Sequence, residues 1–189
     1  MAWRSIFKDG RYKSYDWTIK IDLDCVFFAS RMREALMPFT GHNAVSISNN
    51  GKVVSGFSRI EGPIEAFSRA AVGLYEDNPG LCETSIDASQ KGEDYYIDDC
   101  MEMLGATAVY MPWELSKDPS ECWDLSFVGY HPLKSRLEWQ ECTTASMLEW
   151  TGGNPVADHA THFSTQTLLP EHVANELPEA DKVRRDHAP

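Results

Sequence analysis

Two aspartates, one residue apart, close an apolar stretch in Lys20-Ile21-Asp22-Leu23-Asp24. If that stretch is a strand that breaks there, both carboxylates can turn toward one divalent cation. Mg²⁺ and Mn²⁺ accept carboxylate oxygen together with phosphate oxygen and water. Such a pair therefore suits a cation that neutralises a bound diphosphate and stabilises it as a leaving group. The plain alternative is two surface acids in a turn, a spacing common by chance. Apolar flanks favour an enclosed position: Trp17-Thr18-Ile19 precedes the motif and Cys25-Val26-Phe27-Phe28 follows it.

Three further stretches carry groups able to act beside such a cation. Gly92-Glu93-Asp94 opens a helical pattern, where the N-terminal dipole favours ionised carboxylates. Either acid is good helix-start chemistry, and either could serve as a general base. His131, in Gly129-Tyr130-His131-Pro132-Leu133-Lys134-Ser135, sits where a strand gives way to a capped helix. A neutral imidazole there could complete a metal's coordination, or simply hydrogen-bond within its turn. Lys134 could meet phosphate as a point charge. The stretch Gly62 to Ala70 reads first as an amphipathic helix, with Glu65 a weaker candidate for facing an acceptor.

The elements that must position these groups alternate between strand and helix. Residues 16–28 are β-rich and interrupted at Asp22-Leu23-Asp24. Ser30 is a plausible cap for a short helix over 31–37, ahead of Pro38. Residues 44–48 and 52–57 flank Asn49-Asn50-Gly51, a hairpin signal. Pro63 opens a predicted helix to residue 77, with Ile64, Phe67, Ala71 and Leu74 on one face. Residues 82–91 read as a loop, and 93–104 as a helix closed by Gly105. Strands are predicted at 106–111 and 123–130. Ser135-Arg136-Leu137-Glu138 is a capping box for a helix reaching about residue 148. This order predicts an α/β layered fold over residues 1–150. From 151 to 189 the composition turns to Gly, Pro, His and Thr and predicts a loose extension.

Composition narrows the partners. A 189-residue chain with 42% apolar residues and six tryptophans can bury a core of its own. A net charge of −12 argues against nucleic acid and anionic membrane, and makes a bridging cation necessary for any diphosphate. No apolar run approaches the roughly 20 residues of a membrane span, and residues 1–15 show no targeting signal. The five cysteines (25, 82, 100, 122 and 142) show no zinc-like spacing. Their odd number fits either a reduced protein or two bridges and one buried thiol.

Taken in order, the motifs resemble the Fringe and β-1,3-galactosyltransferase group of GT-A glycosyltransferases. That group carries a Lys-x-Asp-Asp-Asp or similar strand end, matched here with Leu23 at the middle acid. A Gly-rich approach to a helix with a Ser-Arg pair is resembled by Gly62 to Ala70. An acidic pair opening a helix that ends in Leu-Gly is resembled by Glu93 to Gly105, and a strand-end histidine by His131. The resemblance implies a partial GT-A-like mixed sheet with flanking helices. It further implies Mn²⁺ (or Mg²⁺) at Asp22, Asp24 and His131, with Lys134 at the nucleotide phosphates. The donor would be a UDP-sugar, the acceptor a glycan or glycoprotein, and Asp94, rather than Glu93, the base of an inverting transfer. Golgi or secretory residence also follows, with Cys82–Cys100 and Cys122–Cys142 as possible bridges.

One departure stands out against that pattern. About twenty residues precede the acidic pair, so the family's N-terminal nucleotide-binding βαβ region is expected to be missing and the chain to be a fragment or reduced relative. A non-catalytic glycan- or protein-binding module derived from a truncated transferase is the alternative function. A metal-free carboxylate-pair hydrolase built on Asp24 and Asp94 is a third.

Overall fold

The strand predicted around the acidic pair is split by it. β1 (Trp17–Ile21) ends just before Asp22, and β2 (Val26–Phe27) begins two residues after Asp24. A tight turn joins them, closed by the Cys25 amide donating to the Asp22 carbonyl at 3.1 Å. The two strands enter different sheets, so residues 22–24 are the link between sheets. This computed structural model describes residues 2–41, 43–50, 59–78 and 80–148, which lie in the first of two units of the chain, Met1–Asn154.

The first sheet has four strands in the order β1, β4 (Ile64–Ser68), β3 (Val45–Ser48), β5 (Thr107–Tyr110). β4 runs antiparallel to both neighbours, and β3 and β5 are parallel. The second sheet orders β2, β7 (Gly129–Tyr130) and β6 (Leu115–Ser116), with β7 antiparallel to β2 and parallel to β6. The α-helices among the described residues are α1 (Ala2–Asp9), α2 (Ala29–Leu36), α3 (Arg69–Asp77), α4 (Leu81–Ser85), α5 (Glu93–Met103) and α6 (Arg136–Leu148), with short 3-10 turns between elements. Mixed sheets with helices make this an α/β fold, as the alternating pattern predicts.

The helix read from Pro63 to residue 77 is two elements. Ile64–Ser68 is a strand buried at every position, paired on one edge with β1 and on the other with β3. Burial on both faces removes the polar alternation that would betray a strand. The helix proper starts after Ser68, whose Oγ accepts the Ala71 amide at 3.2 Å. Other boundaries move for similar local reasons. α2 begins after Phe28 rather than at Ser30, the 82–91 loop contains α4, and the strand predicted over 123–130 shrinks to Gly129–Tyr130. Two ends stand as read. The Ala106 amide reaches back to the Met101 carbonyl at 2.9 Å over a left-handed Gly105. Ser135 and Glu138 cap α6 reciprocally, at 3.2 and 2.8 Å. Gly51, the partner strand expected at 52–57 and the tail from 151 lie outside the described residues.

Two of the hydrophobic clusters among the described residues each hold one disulfide. Trp3, Phe67, Val72, Tyr75, Tyr96 and Met101 gather α1, β4, α3 and α5 around Cys82–Cys100. Val26, Tyr130 and Leu133 gather the second sheet and α6 around Cys122–Cys142. The fifth cysteine, Cys25, is a buried free thiol that burial pushes up to about 12. Arg31 ties α2 to the second cluster, donating to the Phe127 carbonyl, the Tyr130 hydroxyl and the Ser146 carbonyl at 2.9–3.0 Å. Glu114 is completely buried near Asn49, one of several charged types in the interior with Arg31, Glu65 and Asp98. Burial drives its carboxyl well above the ordinary range, and the Asn49 side chain draws it back in part.

Candidate functional site

Lys20 stands directly opposite Glu65 in the antiparallel register of β1 and β4. Cross-strand neighbours of opposite charge attract, and here burial strengthens the attraction. The Lys20 ammonium meets Glu65 Oε1 at 2.8 Å, Asp22 Oδ1 at 3.3 Å and Glu93 Oε2 at 3.4 Å. Trp3 donates its indole N–H to Glu65 Oε2 at 3.0 Å. The Glu65 side chain is 0% exposed. Burial alone would lower the Lys20 ammonium, but Glu65, Glu93 and Asp22 together hold it above its ordinary value. For Glu65, burial raises the carboxyl, and the bonds from Lys20 and Trp3 offset part of that rise. Glu65 thus serves the interior of the sheet, and the acceptor-facing role considered for it is withdrawn.

On the other side of Leu23 the chain makes a second group. The Leu133 amide donates to the Asp24 carbonyl at 2.9 Å, pinning the turn to the segment after β7. The Val26–Tyr130 pairing of β2 and β7 sets the neighbouring residues side by side. Asp24 Oδ2 lies 3.4 Å from His131 Nε2 and is hydrogen-bonded to the Lys134 ammonium. That ammonium is the main reason the Asp24 carboxyl is held below the usual range. The His131–Pro132 peptide bond is cis.

Asp94 is placed by glycines. Its side chain packs on Gly62, at 3.5 Å from where a Cβ would stand, and its Oδ1 would lie 2.6 Å from a Cβ on Gly92. Oδ1 also accepts the Tyr95 amide at 2.9 Å. Because the Gly62 carbonyl accepts from Lys20 Nζ at 3.4 Å, Asp94 and Glu93 border the Lys20 group.

The structure therefore brings Asp24, His131 and Lys134 together, and separately brings Asp22 and Glu93 together around Lys20. Asp22, Asp24 and His131 do not unite as a three-ligand set. Among the described residues, no three His, Cys, Asp or Glu side chains come close enough to hold a metal ion between them. The reason is the turn itself, which sends the carboxylates at its first and third positions toward different strands. Sequence reasoning missed the Lys20–Glu65 pair because the strand at 64–68 was read as helix. Once 17–21 and 64–68 are seen as antiparallel partners, Lys20 and Glu65 fall opposite one another.

Next to Asp24 lies an open groove of about 410 Å³ between Leu23 and the start of α6. No helix of the described residues is long and apolar enough to cross a membrane. No family model matches the sequence, and no curated protein matches it.

Proposed function

We propose that this chain is a metal-dependent inverting glycosyltransferase, or the catalytic portion of one, using a UDP-linked sugar donor. The observation that carries the reading is the convergence of the separate motifs on one turn. Residues 22–24 are flanked on one side by Glu93, through Lys20, and on the other by His131 and Lys134. A GT-A-like arrangement of the mixed sheet belongs to the same reading.

Mg²⁺ and Mn²⁺ near nucleotides commonly take one or two protein ligands and complete their shell with phosphate oxygen and water. Asp24 and His131, 3.4 Å apart, fit a cation that arrives with a diphosphate. They do not fit one caged by protein alone. When bound, the cation would neutralise the diphosphate as it leaves. Lys134, now on Asp24, would be free to turn to a phosphate oxygen. Asp94 is the preferred base, since Glu93 is engaged by Lys20. Its carboxylate would take the proton of the acceptor hydroxyl as that oxygen bonds to the anomeric carbon and the carbon–diphosphate oxygen bond breaks. A glycan or glycoprotein acceptor and a Golgi or secretory setting complete the proposal. Two disulfides support an oxidising compartment.

Manganese with UDP is expected to raise the melting temperature, equivalent to about 2.7 kcal/mol at a hundredfold excess over Kd. Asp24→Asn should remove that rise. A wild-type chain that responds neither to manganese with UDP nor to manganese with a UDP-sugar would sink the reading. A second reading, a non-catalytic glycan-binding module, draws on the Lys134–Asp24 pair, which satisfies the acid without any cation. Glycan binding that persists in chelator and in Asp24→Asn, with no response to manganese and UDP, would favour it.

A further inference from the structure

The groove beside Asp24 differs from the rest of this acidic molecule. Its floor is Leu133, which is buried, and its walls are Leu23, fully exposed at the tip of the turn, and Trp139, 39% exposed. Lys134 and Arg136 supply two positive charges to its lining, against the single carboxylate of Asp24. Lys134 is held by Asp24. Arg136 has no carboxylate partner among the described residues, although the chain carries 29 acids against 17 lysines and arginines. The start of α6 does not itself invite an anion. The Ser135 amide is taken by Glu138 and the Glu138 amide by the Ser135 hydroxyl. The Arg136 guanidinium, whose fork matches a carboxylate or sulfate, is therefore the cation that can meet a negative group in the groove without first leaving Asp24.

An exposed indole beside aliphatic walls, with one guanidinium that no carboxylate of the described residues engages, is a recognition surface of mixed character. Apolar area supplies contact, and a few polar groups supply selectivity. We propose that this groove is a subsite for an acidic pyranose, the ring lying against Trp139 and its carboxylate or sulfate on Arg136. Its assignment to the acceptor side rests on the transferase reading, because the groove adjoins Asp24. The sugar subsite itself does not depend on turnover.

The test uses the full chain with ¹⁵N-labelled tryptophan in the presence of chelator, the Trp139 indole signal being assigned through Trp139→Phe. Methyl β-D-glucuronide, glucose 6-sulfate, methyl β-D-glucoside and UDP are titrated separately. Either acidic sugar should shift the Trp139 signal with an affinity about tenfold above the neutral glucoside, as a charge-assisted contact requires. Arg136→Gln should bring the acidic sugars down to the level of the glucoside. The two acidic sugars together distinguish carboxylate from sulfate. Equal response to acidic and neutral sugars, or no response to any sugar in a folded chain, overturns the subsite. A stronger response to UDP than to the sugars overturns it too, by giving the groove to the donor. Glucuronide binding in a chain indifferent to manganese and UDP would instead keep the subsite and remove the transferase.

Discussion

Asp22 and Asp24 are the same residue type two positions apart, yet the regions they enter differ in kind. Asp22 joins a group organised by a mostly buried lysine, 17% exposed, and a glutamate with no exposure at all. Asp24 joins His131 and Lys134 at a surface where the lysine is 69% exposed. In the first region one ammonium serves three carboxylates; Asp22 and Glu93 are 40% and 39% exposed, but losing the lysine would leave Glu65 buried and alone. In the second, water already reaches the partners, and a ligand can replace one of them at little loss. The lesson is that the acid's identity fixed neither role. The strand opposite did, by placing Glu65 across from Lys20 and His131 beside Asp24.

The largest test of that contrast is Lys20→Met, which leaves Glu65 buried without its counter-ion. Loss of a partner from a buried pair costs about 3–5 kcal/mol, so the urea midpoint should fall steeply with the slope unchanged. A loss below about 1 kcal/mol would place Lys20 in the weak, exposed class of ion pairs instead.

A smaller effect is expected where the two sheets approach. A Cβ on Gly129 would stand 2.6 Å from Ile64 Cδ1 and 3.0 Å from the Val26 carbonyl. Gly129→Ala should therefore destabilise by about 1–3 kcal/mol, as overpacking does. Gly62→Ala, which meets Asp94 at an ordinary 3.5 Å, should cost much less. Equal losses at both glycines would mean that the second sheet yields more easily than the contact distances imply.

The smallest stability change belongs to Asp24. Asp24→Asn should alter stability by less than about 1 kcal/mol, as exposed pairs do. Its pH signature is more telling. The Asp24 carboxyl is lowered, chiefly by Lys134, so its contribution is present above the ordinary aspartate value. That contribution is lost as pH falls through the lowered value of the folded state. Lys134→Gln should move the Asp24 carboxyl back toward the ordinary range in a ¹³C titration. An unchanged titration would show that Lys134 does not govern the acid.

Much of this arrangement was legible in the residues. The Glu93 helix with its Gly105 end, the Ser135–Glu138 cap, the break at 22–24 and the two cysteine pairs all follow from local chemistry or from the resemblance. What could not be read was non-local. A central strand paired on both edges shows no alternation, so Ile64 to Ser68 passed for helix, and the Lys20–Glu65 pair went with it. The divergence of Asp22 and Asp24 is set by a turn closed from Cys25 to Asp22 and tied to Pro63 on one side and Leu133 on the other. Strand-end spacing alone could not reveal that geometry.

Glu114 carries a consequence for the molecule as a whole. Its carboxyl lies in the interior, driven well above the ordinary range by the loss of water around it. Between its two values the native chain keeps a hydrogen ion that the denatured chain surrenders. Folding therefore draws a proton from the surrounding buffer, and the native state weakens as the medium turns alkaline through that interval. The heat absorbed when the protein melts will include the ionisation heat of whichever buffer accepts that proton.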